Sequence, residues 1–246
     1  MKNIEVCLSP ALLDLYGVEN KVVVVVDILR ATSCMTTGLA HGLKSIIPVA
    51  SLDECSNLRA KGFIAAAERD GKMADGFDLG NSPFSYMDKS LVGKSVAMTT
   101  TNGTQAISKS LKAEEIIIGS FLNKTSVINY LLAQSSDVLV LCAGWKGQIN
   151  LEDTLFAGAL VEGVGKEFAS ENDSAMTAYT LYQAAKGDLS KFLSNSSHVR
   201  RLRKLNIIKD IDFCLQSDVY HVIPILKGGE LVKMEMREEM SVKTIR

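Results

Sequence analysis

Apolar residues along the chain come in short runs separated by polar turns, and the runs alternate between two periods. Val22–Val26 is five consecutive valines, too short for a helix and too β-branched to prefer one, so it predicts a strand buried on both faces of a sheet. Further strands are predicted at Asn3–Leu8, Ser45–Ala50, Phe63–Ala67, Ser95–Thr99, Glu115–Phe121 and Asp137–Leu141. Helical spacing fills the intervals at Thr32–Leu43, Leu52–Lys61, Thr104–Lys112, Lys124–Gln134 and Glu152–Phe168. Within the last of these, Ala157, Gly158, Ala159 and Gly163 predict close packing on the sheet. Beyond Asp173 four shorter helices are predicted at Ser174–Lys186, Leu189–Ser194, His198–Leu205 and Ile207–Leu215. A closing pair of strands, Val219–Leu226 and Glu230–Met236, flanks the turn Lys227-Gly228-Gly229. The fold class is therefore α/β: a layered α/β/α arrangement with a mostly parallel or mixed sheet. Its length allows two lobes, 1–122 and 123–246, or one compact unit.

Four predicted strands end in polar clusters: Asp27 with Arg30, Glu68 with Arg69, Thr100–Thr104, and Cys142–Gly147 with Glu152 and Asp153 downstream. Ligands of open α/β sheets collect beyond the carboxyl ends of the strands, so in a mostly parallel sheet all four clusters converge on one edge. Asp27, Glu68, Asp78, Glu152 and Asp153 offer the hard oxygen ligands that Mg2+ prefers. Arg30, Arg69 and Lys146 offer charge for an anion, and Thr32 and Ser33 are expected to cap the helix after the valines. Glycines in GFDLGN, TTNGT and AGWKG let backbone N–H groups approach anionic oxygens. The stretch Asp70–Asp88 is a long loop whose Phe77 and Phe84 suggest docking and a functional role.

Composition narrows the picture by exclusion. The 246 residues are 47% hydrophobic and 22% charged, near the globular average, with a formal net charge of -1 that points to neither nucleic acid nor an anionic membrane. No apolar run reaches a membrane span and MKNIEVCLSP lacks the apolar core of a signal peptide, so a cytoplasmic protein is expected. Five scattered cysteines without C-x-x-C spacing disfavour a zinc site or disulfides. Several nucleophile motifs fail: Asp27 is followed by Ile28 and Leu29 rather than the D-x-D of haloacid-dehalogenase phosphatases. Gln148 stands where the C-x5-R loop needs arginine, and Phe77 where a P-loop needs lysine. Cys142 in an apolar strand reads more readily as a core residue than a nucleophile. His198 in SSHVRRLRK is read as a helix start with a solvated basic face, and Trp145 as a loop lid or packing residue.

Taken together, VDILRATS at Val26–Ser33, ERDGKMADGFDLGNSP at Glu68–Pro83, TTNGT at Thr100–Thr104 and CAGWKGQINLEDTLFAG at Cys142–Gly158 resemble the ComB-type 2-phosphosulfolactate phosphatases of coenzyme M biosynthesis. The resemblance spans about positions 20 to 170. It implies a Mg2+-dependent phosphatase of two α/β lobes, acting on a small 2-phospho acid that bears a sulfonate. Two positions depart from the family's pattern, Gln105 in place of arginine and Ala67 in place of glycine. Joined to the residue reading, it gives catalytic roles to Asp27, Arg30, Glu68, Arg69, Cys142 and Asp153, and a metal held among Asp27, Glu68, Glu152 and Asp153. Substrate contacts are expected from Thr32, Ser33, Asp78, Asn81, Ser82, Thr100, Thr101, Asn102, Gly103, Thr104, Gly144, Lys146 and Gly147. The partner is then a small anionic phosphorylated substrate, with homo-oligomerisation left open. The alternatives are a phosphatase of another small phosphorylated hydroxy acid and a non-catalytic small-anion-binding protein.

Overall fold

A computed structural model describes residues 1–170 and 172–235. In chain order its strands are β1 (Lys2–Cys7), β2 (Lys21–Val26), β3 (Ser45–Pro48), β4 (Ile64–Arg69), β5 (Lys72–Met73), β6 (Ser95–Thr99), β7 (Glu115–Gly119), β8 (Asp137–Cys142), β9 (Phe168–Ala169), β10 (Pro224–Lys227) and β11 (Glu230–Lys233). They pair into one mixed sheet in the order β5-β4-β6-β3-β11-β10-β7-β2-β8-β1-β9. The helices are α1 (Ala31–Ala40), α2 (Leu52–Arg59), α3 (Gly103–Lys109), α4 (Lys124–Ala133), α5 (Leu151–Val164), α6 (Asp173–Ala185), α7 (Leu189–Leu193), α8 (Ser197–Lys204) and α9 (Ile208–Cys214). Strands from either side of position 122 interleave: β8 lies between β1 and β2, and the β10–β11 hairpin lies between β3 and β7. No break in the sheet marks a boundary there.

The valine run does form a strand buried on both faces. Val22, Val24 and Val26 enter one core with Phe156, Leu160 and Leu131 of α5 and α4, while Val23 and Val25 enter a second with Met35 and Leu39 of α1. Burial of each such large side chain contributes about 1.5–3 kcal/mol. On α5 the small residues serve helix packing more than sheet packing. A Cβ at Gly158 would stand 2.0 Å from the Ala178 carbonyl oxygen of α6, and one at Gly163 would stand 2.3 Å from Ile128 of α4. α5 stops at Val164, short of Phe168, because Gly165 takes a positive φ of 52°.

The expectation that all four polar strand ends share one edge of a parallel sheet needs correction. β2 is parallel to β7 and β8, and β1 to β8 and β9; β6 is parallel to β3 and β4. Between these blocks the β10–β11 hairpin pairs antiparallel with itself, with β7 and with β3, so the two blocks run in opposite senses. Five strand steps separate β6 from β2, and a twist of roughly 20–25° per step accumulates to roughly 100–125°. α1, buried from Ala31 to Leu39, packs against both blocks. One core joins α1 to Val25 and Ile118 of one block and to Ile46, Val96 and Met98 of the other.

At the carboxyl end the predicted strand Val219–Leu226 shortens to β10, and that at Glu230–Met236 becomes β11, with Met236 outside the described residues. The long loop Asp70–Asp88 is ordered by β5 against β4 and by a fully buried Tyr86 whose hydroxyl donates to the Gly80 carbonyl at 2.9 Å. Its Phe84 packs on Phe213 of α9 with ring centroids 5.2 Å apart.

Candidate active site

The chain turns directly from β2 into α1, and the turn is clasped by its own polar groups. The backbone N–H of Asp27 donates to Thr32 Oγ1 at 3.1 Å, Ser33 Oγ donates to the Ile28 carbonyl at 2.9 Å, and Asp27 Oδ1 accepts from the Ala31 N–H at 3.3 Å. Thr32 and Ser33 are therefore fully buried parts of the turn rather than substrate contacts, and the residue preceding α1 is Arg30, which makes no side-chain cap. Asp27 is 6% exposed. Burial pushes its carboxyl up to about 6; the nearby His198 ring and the Ala31 N–H oppose this, and the charges of Glu68 and Glu152 add to it.

Asp27 meets the second block at TTNGT. A Cβ at Gly103 would lie 2.7 Å from Ala31 Cβ and 3.0 Å from Asp27 Oδ2, so the glycine permits the close approach of α3 to α1. Thr100 and Thr104 are buried and bond each other: the Thr104 N–H donates to Thr100 Oγ1 and the Thr100 N–H to Thr104 Oγ1, both at 3.2 Å. Thr101 and Asn102 face outward into a cleft shared with Asp27 and Glu68. Glu68 Oε2 accepts from Thr101 Oγ1 at 3.2 Å, and its other oxygen accepts from the Gly71 N–H.

The two arginines named from sequence already have partners within the protein. Arg30 donates to Asp210 Oδ2 of α9 at 2.5 Å and to the Gly71 carbonyl at 2.8 Å, and the pair is buried. Arg69 donates to the Glu68 carbonyl at 2.6 Å and to Thr99 Oγ1 at 3.2 Å. Ser82 Oγ donates to Asp210 Oδ1 at 3.1 Å, while Asn81 lines the cleft with a buried Oδ1 that has no partner among the described residues. Asp78 lies apart from this group, accepting from the Ala65 N–H at 2.9 Å and pairing with Arg59 at 2.8 Å.

Beyond β8, Cys142 is fully buried within a core, and burial holds its thiol well above the usual range. It is a packing residue, as its apolar strand suggested, and is no candidate nucleophile. Asp153 sits behind the cleft. Its Oδ1 accepts from the Ile28 N–H at 2.8 Å, and its Oδ2 from the Gly144 N–H and Asn150 Nδ2, each at 3.0 Å. Burial raises its carboxyl, Asp27 and Glu152 push the same way, and the bonds from Ile28 and Asn150 pull back. Gly144 has a positive φ of 59° and a Cβ there would strike the Gln148 carbonyl at 2.2 Å, so it shapes the turn. Gly147 accepts from Ser9 Oγ at 2.7 Å. Lys146 donates its backbone N–H to Asn102 Oδ1 at 3.1 Å and pairs through Nζ with Asp70 at 3.2 Å on the exposed rim.

The rest of the cleft comes from residues the sequence reading left aside. His198 and Arg201 lie three positions apart on α8 and face inward with Leu202, whereas Arg200, Arg203 and Lys204 are exposed. The inward pair shares its face with buried Val199 and Leu202, the apolar signal by which the sequence could have separated it from the solvated face. His198 Nδ1 bonds Glu152 and its Nε2 faces Arg201 Nη2 at 2.9 Å. An arginine only donates, so Nε2 is the acceptor and the ring proton sits on Nδ1, donated to Glu152. The Trp145 ring stacks on His198, with centroids 6.3 Å apart and planes at 20°. Gln105 is exposed and Ala67 buried outside the cleft lining, so neither family departure alters this wall.

Asp27, Arg30, Glu68, Asn81, Asn102 and Arg201 thus surround one cleft. Of the four acids expected to hold a metal, Asp27 and Glu68 face it, Glu152 keeps a buried Oε2 without a partner among the described residues, and Asp153 accepts from three donors. Among the described residues no three acidic, histidine or cysteine side chains are gathered as a ready-made metal cluster. Mg2+ is commonly held by one or two carboxylates, with waters and substrate oxygens completing its shell. The donor set of Asp27 and Glu68 fits that habit.

Fold and cleft together define an α/β protein that gathers acidic, amide and guanidinium side chains of distant segments around one cleft. Residues 7–229 match the family described as 2-phosphosulpholactate phosphatase. A probable 2-phosphosulfolactate phosphatase of Thermotoga petrophila is 38% identical over 218 residues, covering 89% of this chain and 94% of the relative. Its counterpart in Caldanaerobacter subterraneus is 39% identical over 217 residues, with 86% and 90% covered; that of Clostridium acetobutylicum is 34% identical over 220 residues, with 87% and 93% covered. The chain belongs to the 2-phosphosulpholactate phosphatase family and is a phosphoric monoester hydrolase. Among the described residues no helix is long and apolar enough to cross a membrane.

Proposed function

We propose that the chain hydrolyses the phosphate ester of 2-phospho-3-sulfolactate to 3-sulfolactate and phosphate, with Mg2+ as cofactor, in the manner of coenzyme M biosynthesis. The observation that carries this reading is the single cleft in which Asp27, Glu68 and Asn102, drawn from both strand blocks, stand opposite Arg201. Carboxylates alone would repel an ester whose phosphate, carboxylate and sulfonate are all anionic, so the acidic wall makes sense only with a cation upon it. Asp27 and Glu68 are the residues that would hold Mg2+, which when bound neutralises phosphate charge and lowers the pKa of water. Thr101 and the Gly71 N–H orient Glu68, and Asp153 pins the turns at Ile28 and Gly144. Cys142 being sealed in the core, the attack is assigned to a water or to the Asp27 carboxylate.

Release of phosphate from 2-phosphosulfolactate, measured with Mg2+ and with EDTA, tests the reading. Turnover is expected only with the metal, and Asp27→Asn is expected to lower it by about 100-fold or more while the protein stays folded. Turnover indifferent to EDTA, or retained by Asp27→Asn, overturns the metal assignment. The same assay on other phosphorylated hydroxy acids establishes whether the sulfonate is required.

A further inference from the structure

We propose that Arg201 is the specificity-determining residue that receives an acid group of the substrate which does not react, its guanidinium held ready on the Trp145 ring. The inference rests on the phosphatase reading above and deepens it by naming the contact for the non-reacting anion.

The argument begins with what each cation near the cleft already holds. Arg30 is neutralised by Asp210 and also donates to the Gly71 carbonyl. Lys146 Nζ is paired with Asp70 on the exposed rim. Arg69 is tied to the Glu68 carbonyl and Thr99 and lies outside the cleft lining. Arg201 differs from all three. Among the described residues it has no carboxylate partner; its one hydrogen bond goes to the neutral acceptor His198 Nε2, and its Nε is buried without any partner.

That guanidinium is nevertheless well placed. Its central carbon lies 4.8 Å from the centroid of the Trp145 ring, and Lys146 Nζ lies 5.2 Å from the same centroid. His198 is fixed from below by Glu152, and its proton on Nδ1 leaves Nε2 able only to accept from Arg201. The result is a positively charged group with unused donors on the wall of a cleft that also contains Asp27 and Glu68. A carboxylate or sulfonate has the paired oxygens that a planar guanidinium binds through two parallel N–H bonds. A phosphomonoester with no second acid would leave those donors unmet.

The test uses the whole protein with Mg2+ supplied. Calorimetric titration with 3-sulfolactate, and kinetics on 2-phosphosulfolactate and on phenyl phosphate, are measured for the wild type, Arg201→Gln, Arg201→Lys and Trp145→Leu. Arg201→Gln is expected to weaken 3-sulfolactate binding about 10- to 100-fold and to lower the kcat/KM ratio of 2-phosphosulfolactate over phenyl phosphate by a like factor, chiefly through KM. Arg201→Lys recovers part of the loss, and Trp145→Leu loses several-fold, with thermal unfolding showing that each variant is folded. A wild type that releases phosphate, with 3-sulfolactate affinity and substrate ratio unmoved in Arg201→Gln, overturns the role of Arg201 and leaves the phosphatase standing. A wild type that binds 3-sulfolactate through Arg201 without releasing phosphate overturns the hydrolysis and leaves the contact standing. Neither binding nor turnover overturns both.

Discussion

Asp27 carries its carboxyl where burial favours the neutral acid, beside two further glutamates, and that arrangement has a sign that can be measured. In the metal-free protein the group titrates near 6 when folded, against the ordinary value of 3.8. The folded state therefore holds the proton more tightly; the resulting stabilisation is complete below about pH 4 and is lost as pH rises through 6. Above that, ionised Asp27 costs the fold about 3 kcal/mol. In EDTA at pH 7, Asp27→Asn is thus expected to resist urea better than the wild type by up to about 3 kcal/mol, with the gain shrinking toward pH 4. A variant no more stable at pH 7 than at pH 4, relative to wild type, contradicts this account. Activity and stability then oppose each other at one side chain, as expected where a buried anion awaits a cation.

Among elements, α9 reaches across to hold the first turn of the site. Its Asp210 bonds both Arg30 and Ser82, so a helix near the carboxyl terminus fixes the loop after β2 and the loop after β5 together. Asp210→Asn leaves the Arg30 charge buried without its partner and is expected to cost about 3–5 kcal/mol in urea unfolding. Replacing both, as Arg30→Met with Asp210→Leu, is expected to cost clearly less, because no uncompensated charge remains. Equal losses in the single and double variants would mean that Arg30 matters as a packing volume and not as half of an ion pair. None of this was legible beforehand: Arg30 and Asp210 are 180 residues apart, and Asp210 lay inside a helix with no local sign of a partner. The helices and strands themselves were legible, because burial on one face or on two leaves a period in the residues that the chain cannot hide.

For the whole molecule, the consequence of an acidic cleft is that a divalent cation should favour the folded state. Mg2+ at 100 times its dissociation constant is expected to add about 2.7 kcal/mol, or roughly 5–10 °C in Tm for a chain of this size, with Glu68→Gln reducing the shift. A Tm indifferent to Mg2+ would remove Asp27 and Glu68 from any metal site. The alternation of strands and helices, the strand buried on both faces and the polar residues at its end follow from local order along the chain, since periodicity and turn chemistry act over a few residues. That Asp27, Glu68 and Asn102 share a cleft was also foreseeable from strand ends, although the route was different: the blocks run in opposite senses and are joined through the core around α1. Only the tertiary structure assigned Thr32, Ser33 and Cys142 to the interior, neutralised Arg30, and turned His198 and Arg201 toward the site. A side chain's type is written in the sequence, but whether its charge faces a partner, a cavity or water depends on segments that arrive from far along the chain.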